Sequence, residues 1–266
     1  MEPDPTFSVA LGFALFTLAH LGLAWPPVRQ PLVARLGRWG FTVLFSCTAW
    51  LTFGATIASY ARHAHEGPAG LALGAHPVAR AALIAAIVLG AALMAGAFAR
   101  YASSPYSLAG NVREPRGLER VTRHPFFVGS ALVTAAHALL ATRRVGAVLM
   151  ACLALFSLLG PVLQDRKLLA LRGEPHAAYL AATSLLPFVA IAAGRQRLVW
   201  RELPWATLLL GVVLAWLLRA VHANLFDHSG AYVIAAFVVG PLAILLGELR
   251  RDRRARRRAT LVAGSS

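Results

Sequence analysis

Apolar stretches, several of them close to 20 residues long, alternate with short polar segments along most of the chain. A helix that rises 1.5 Å per residue needs about 20 apolar residues to cross the hydrocarbon core of a bilayer. The pattern therefore predicts an all-α, polytopic transmembrane bundle with about seven spans. We place the spans at residues 7–25, 39–60, 78–99, 125–142, 145–163, 205–221 and 231–246.

Proline residues mark the breaks in this pattern. Pro26 and Pro27 end the first apolar stretch, because proline cannot supply the backbone donor that a continuing helix needs. Pro161 interrupts the fifth span. The run 177–193 is apolar but short, and Pro187 breaks it. We expect this run to be re-entrant or interfacial.

Basic residues set the expected orientation. The chain has 26 Lys and Arg against 11 Asp and Glu, and the basic residues concentrate in every second connection. One such connection is the expected loop after the first span, with Arg29, Arg35 and Arg38. The positive-inside rule then predicts an outside N-terminus and an inside C-terminus, provided that 177–193 does not cross.

The same distribution bears on partners and organisation. Membrane topology explains the charge of +15, so we predict no nucleic-acid partner. Residues 1–249 form one transmembrane domain, and residues 250–266 form an Arg-rich cytoplasmic tail expected to contact anionic lipid. We expect a multi-pass protein of the bacterial inner membrane.

Two histidines fall within predicted spans. Ionisable residues in such positions are costly and usually face a cavity, a partner or a cofactor. Neutral imidazole is a good ligand for haem iron, so His20 and His137 are candidate metal ligands for a membrane-embedded haem. The alternative for each is a hydrogen bond to a neighbouring helix.

Arg123 and His124 precede Pro125 at the predicted inner boundary of the fourth span. Proline suits the first turn of a helix, so it directs both side chains back towards the connection. They would either contact lipid head groups or hold an anionic cofactor group, such as a haem propionate or a nucleotide carboxylate. His222 and His228, by contrast, are explained by a solvated turn.

Several segments together resemble the NnrU family of bacterial membrane proteins. They are FTLAH (16–20), TRHPFFVG (122–129), AAHALL (135–140), the stretch 173–188 and AGR (193–195). The resemblance covers about residues 7–195. The family is similar to the plant 15-cis-ζ-carotene isomerase, an integral membrane enzyme that holds a b-type haem through histidine.

The resemblance implies a haem b protein that acts on a lipophilic small molecule or takes part in denitrification and nitric oxide metabolism. It places the haem ligands at His20 and His137, with His124 and Arg123 as further cofactor-binding residues. Depth raises a difficulty: His20 lies about 7 Å from the inner end of its span and His137 about 18 Å. His124 matches the depth of His20 better.

Two other functions remain open. Isoprenylcysteine and phospholipid methyltransferases also place an Arg-His-Pro element at a membrane boundary, to hold S-adenosylmethionine. Their later pair of glutamates is absent here, where the chain has Gln164 and Asp165. A non-catalytic accessory protein for membrane assembly of a denitrification enzyme is the third hypothesis.

Overall fold

The computed structural model describes residues 4–98, 112–222, 231–235, 238–239 and 242. Within them, regular structure is helical apart from one antiparallel bridge between Ala69 and Arg143, so the predicted all-α class is confirmed. The α-helices in this part of the chain are α1 (Pro5–Ala24), α2 (Pro26–His63), α3 (Pro77–Gly96), α4 (Leu118–Val121), α5 (Pro125–Leu140), α6 (Arg144–Arg172), α7 (Glu174–Ala182), α8 (Val189–Ala192) and α9 (Trp205–Ala220).

Four described helices are long and apolar enough to cross a membrane: α1, residues 39–63 of α2, α3 and α6. Helices α5 and α9 are apolar but shorter, with 16 residues each. Many large apolar side chains face outwards, as in Leu18, Leu51 and Leu209, and a bilayer would cover them. A multi-pass membrane protein is thus supported. The number of spans and the orientation stay predictions, because the tail and half of 231–246 lie outside the described residues.

The expected loop after the first span is wrong. Helix α2 begins at Pro26 and bends at Gly37, whose φ of 70° is in the left-handed region. Proline is favoured in the first helical turn, where its missing N–H would have no intrahelical acceptor. The two prolines that end α1 therefore also begin α2.

The expected break in the fifth span is also wrong. Helix α6 continues past Pro161, which is fully buried, and ends at Arg172. Gly160 lets the ring of Phe127 pack directly against the helix backbone. The helix continues although an interior proline removes one of its backbone hydrogen bonds. The extension carries Asp165 into the bundle.

The run 177–193 forms short pieces. Helix α7 has nine residues and α8 has four, and residues 183–188 between them are not helical. Nine helical residues rise only about 14 Å, less than half of the bilayer core. The sequence predicts such a segment, which is too short to span the membrane as a helix.

Helix α6 lies in the middle of the bundle. On one side it packs against α1, which also packs against α2. On the other side it packs against α5, and α5 contacts α3, which contacts α9. The main described core joins α1, α2 and α6, and its buried members are Val9, Phe13, Phe16, Ala49, Phe53, Ile57, Val145 and Leu149.

Helices α3 and α5 cross where two glycines face each other. A Cβ atom on Gly90 would lie 2.5 Å from the carbonyl oxygen of Gly129 and 2.8 Å from a Val133 methyl group. Small residues allow helix backbones in membranes to approach this closely. The crossing fixes α5, and with it the histidines that α5 carries.

We expect Gly129→Ala to lower the thermal unfolding midpoint in detergent. A methyl group at residue 129 would meet the Gly90 carbonyl oxygen and the Met94 backbone nitrogen, and overpacking costs about 1–3 kcal/mol. Gly22→Ala is the matched control, since no atom lies within 4 Å of its added Cβ. Equal midpoints for the two variants would contradict the tight crossing.

An ion pair anchors the segment that leads into α4. The Arg120 guanidinium donates to both carboxylate oxygens of Glu202, at 2.8 and 3.2 Å. The Gly117 N–H also donates to Glu202, at 3.0 Å. The Arg120 hydrogen bond and then the Gly117 N–H lower the pKa of Glu202 from 4.5 to about 2.

This lowered pKa predicts an acid-dependent loss of stability. A depressed carboxyl pKa stabilises the fold above pH 4.5, and the stabilisation disappears as the pH falls through about 2. We expect the unfolding midpoint to fall over that pH range less steeply in Glu202→Gln than in the wild type. Glu66→Gln, at an exposed position, should keep the wild-type slope. Parallel slopes for Glu202→Gln and the wild type would refute the prediction.

Candidate functional site

Backbone and hydroxyl contacts hold the Arg-His-Pro segment in place. The Thr122 hydroxyl donates to the Leu185 carbonyl at 2.6 Å, and the Arg123 N–H donates to the Ser184 carbonyl at 2.9 Å. The segment is thus fastened to the chain between α7 and α8. His124, which caps α5, is only 2% exposed.

Asp165 of α6 binds both predicted boundary residues. The Arg123 Nε–H donates to Oδ2 of Asp165 at 2.9 Å, and His124 Nε2 lies 2.7 Å from Oδ1. An aspartate beside an arginine accepts hydrogen bonds, so Nε2 of His124 carries a proton. Nδ1 of His124 is buried and has no hydrogen-bond partner in the described chain.

His176 of α7 is a second buried histidine, on the helix that follows α6. It is fully buried, and neither ring nitrogen has a hydrogen-bond partner among the described residues. Its ring stacks on Tyr179 with centroids 5.7 Å apart. Burial is the main cause that lowers the pKa of His176, which is therefore neutral at pH 7. The charges of Asp165, Arg172, His124 and Arg123 all act on it.

Hydrogen bonds join Arg123, His124 and Asp165, and the charges of this group act on His176; the four residues are called the polar cluster below. The sequence places Arg123 and His124 at the boundary but misses Asp165 and His176. One signal was available: Asp165 is a carboxylate at the end of a long apolar stretch, in a chain with only 11 acidic residues. Asp165 can contact Arg123 and His124 because α6 continues beyond Pro161.

His20 lies in an aromatic cage. Its ring centroid is 4.6 Å from Phe45, 5.3 Å from Phe16 and 5.4 Å from Phe156. These rings come from α2, α1 and α6. Nδ1 of His20 is buried without a hydrogen-bond partner in the described residues. A buried polar atom in this state costs about 1–3 kcal/mol unless something binds it.

His137 has different neighbours. Its Nδ1 lies 2.7 Å from the Val133 carbonyl oxygen, which can only accept, so Nδ1 carries the proton and Nε2 keeps its lone pair. The ring is nearly parallel to that of His222, with centroids 5.8 Å apart. His222 is exposed, which agrees with the expected solvated turn, while His228 lies outside the described residues.

The structure does not bring His20 and His137 together. Helices α5 and α6 are antiparallel, and a hydrogen bond of 2.8 Å sets Ser130 level with Ser157. His20 contacts Phe156, the neighbour of Ser157, whereas His137 is seven residues beyond Ser130, a rise of about 10 Å. Within the described residues, no group of three or more His, Cys, Asp or Glu could hold a metal ion.

Comparison with known proteins identifies the family of this chain. The model of the family described as "NnrU protein" matches residues 8–229. The chain belongs to the NnrU family. This NnrU-family chain is also similar to the chloroplastic 15-cis-zeta-carotene isomerase of Zea mays, with 38% identity over 82 residues. That alignment spans 31% of this chain and 22% of the maize protein. No solved structure matches.

We expect Asp165→Asn to destabilise this NnrU-family chain by about 3–5 kcal/mol, the usual result of breaking a buried ion pair. The amide would leave the Arg123 charge largely buried without its counter-charge. The measurement is thermal or denaturant unfolding in detergent. The double variant Arg123→Gln/Asp165→Asn is the control and should recover part of the loss. If the double variant is less stable than Asp165→Asn alone, the pairing is not the cause.

Proposed function

We propose that this NnrU-family chain is a membrane-embedded haem b protein with isomerase-like activity on a lipophilic polyene. The observation that carries the haem proposal is the buried, unpartnered imidazole nitrogen of His20 within its cage of phenylalanines. Family membership and the similarity to a zeta-carotene isomerase support the isomerase-like part.

The two candidate ligands fit a haem iron individually. The His20 cage offers the apolar, aromatic surroundings that suit a porphyrin face. His137 has its proton fixed on Nδ1 by a backbone carbonyl, the arrangement that orients a ligating imidazole. The depth difference of about 10 Å prevents simultaneous binding to one iron in this arrangement. We therefore propose His20 as the resident ligand, and His137 could be the second ligand only in an arrangement of the helices other than this one.

Haem iron would supply a redox-active centre that can interact with a double bond. The chain itself supplies the surroundings. Phe16, Phe45 and Phe156 exclude water from His20, which keeps the imidazole neutral and its lone pair available. A polyene would reach the protein from the bilayer, because much of the outer surface of the described helices is apolar.

We further propose that the protein resides in a bacterial inner membrane and takes part in denitrification or nitric oxide metabolism. Both points rest on family membership. The apolar helices support a membrane location of this kind.

The test is the absorption spectrum of protein purified from haem-replete cells, oxidised and reduced. We expect a b-type spectrum in the wild type and its loss in His20→Ala, because no other described imidazole lies in the cage. His137→Ala should keep the haem, and a shifted spectrum in this variant would mean that His137 reaches the iron in another arrangement of the helices. His65→Ala, at an exposed position, is the matched control and should leave the spectrum unchanged.

A colourless wild-type protein would refute the haem proposal. S-adenosylmethionine binding by calorimetry would then favour a membrane methyltransferase. A deletion phenotype rescued by a variant that lacks both His20 and His137 would favour a non-catalytic accessory protein. Loss of haem in His137→Ala with retention in His20→Ala would exchange the roles of the two residues.

A further inference from the structure

Residues 184–205 form a cap at the end of the bundle where α5 and α9 begin. The cap includes α8 and ends at the first residue of α9. The Phe188 N–H donates to the Val121 carbonyl at 2.9 Å, and the Arg120 guanidinium donates to Glu202 at 2.8 Å. Val121 and Arg120 belong to α4, which precedes α5 directly. Helix α4 therefore fastens the cap at two points to the start of α5.

The cap exposes several large apolar side chains. This apolar set consists of Leu186, Phe188, Val189, Trp200 and Trp205. The described part of the chain leaves all of them exposed. Single exposed apolar residues are common on proteins, but several within one short cap indicate a surface that something else covers.

The two tryptophans lie at the depth of the membrane boundary. Trp205 is the first residue of α9, an apolar helix of 16 residues in a predicted span. Such a helix rises only about 24 Å, less than the hydrocarbon core, so Trp205 cannot lie far outside that core. The Trp200 and Trp205 rings are stacked with centroids 6.1 Å apart, and the Trp205 Nε1–H donates to the Trp200 carbonyl at 2.9 Å. Both indoles are therefore near one depth, and tryptophan is enriched at membrane interfaces.

Phe188 places a phenyl ring where the backbone favours glycine. Its φ of 66° is in the left-handed region, which bulky residues rarely adopt. The turn is fixed, because the Phe188 N–H donates to the Val121 carbonyl and the Phe188 carbonyl accepts from the Ala192 N–H. The side chain is nevertheless 55% exposed. A fixed turn thus presents an aromatic ring that the described chain leaves largely uncovered, which indicates a contact with the surroundings of the protein.

We propose that the apolar set inserts among the acyl chains of membrane phospholipids just below their head groups, so that the cap lies in the membrane interface. Lipid is favoured over a protein partner because the set continues into the exposed apolar surface of α9, which includes Leu209. Arg197 and Arg201 are exposed in the same segment, and long basic side chains at this depth extend towards head-group phosphates. For the run 177–193, this favours an interfacial over a re-entrant course. The inference goes beyond the proposed function, because it needs neither haem nor a polyene.

The test measures the depth of a nitroxide label on Phe188→Cys by electron paramagnetic resonance. The full chain carries Cys47→Ser and Cys152→Ala, which leave one reactive thiol, and is reconstituted in phosphatidylcholine nanodiscs. Oxygen partitions into hydrocarbon and a neutral nickel chelate into water, so the ratio of their collision rates with the label reports its depth. Leu51→Cys, exposed in the middle of a candidate span, is the lipid reference, and Glu66→Cys, exposed between α2 and α3, is the water reference.

We expect the oxygen-to-nickel ratio at residue 188 to be several times the ratio at residue 66 and below the ratio at residue 51. A label on Trp200→Cys should give the same intermediate result. Unfolding midpoints close to that of the cysteine-substituted parent verify that each labelled variant is folded.

Three results would overturn the proposal. A ratio at residue 188 or 200 equal to that at residue 66 would place the cap in water. A ratio equal to that at residue 51 would show a re-entrant segment. Low collision rates with both reagents would show that protein, from this chain or from a second copy, covers the apolar set.

Discussion

The Asp165 carboxylate, placed near the end of an otherwise apolar helix, is the constraint on which the polar part of this bundle depends. It is largely buried, so its two oxygens are satisfied from within the protein. Arg123 and His124 satisfy them. In doing so they fix the start of α5 against α6, and therefore the depth of every residue that α5 carries into the membrane.

The histidines in the described part of the chain differ in their depth along the helix bundle and in their surroundings. His124 and His176 belong to the polar cluster at one end of α5, whereas His137 lies near the other end beside His222. His20 is at an intermediate level among phenylalanine rings. A neutral imidazole in apolar surroundings suits iron, and one beside a carboxylate suits proton binding or a structural hydrogen bond. All of these residues are histidines, but their neighbours suit them to different chemistry.

Two arginines near the start of α5 are paired within the protein. Arg123 is neutralised by Asp165, and Arg120 is neutralised by Glu202. The segment that leads into α5 therefore has its counter-charges inside the chain.

The sequence by itself determined the helical class and most helix positions, since apolar runs near 20 residues have few alternatives to membrane helices. It also singled out His20, Arg123, His124 and His137 from the rarity of ionisable groups in such runs. Proline was the misleading signal. Pro26 and Pro27 follow the end of α1 as predicted but also begin α2 without a loop, and α6 continues through Pro161.

Only the tertiary structure decided which of these residues meet. Asp165 lies 41 residues from His124 along the chain, and no local pattern links the two. Their contact depends on the register of α5 against α6, which the packing of residues such as Ser130 and Ser157 sets. The same register separates His20 from His137. Sequence spacing along one helix specifies depth, but contact between helices depends on which faces pack together.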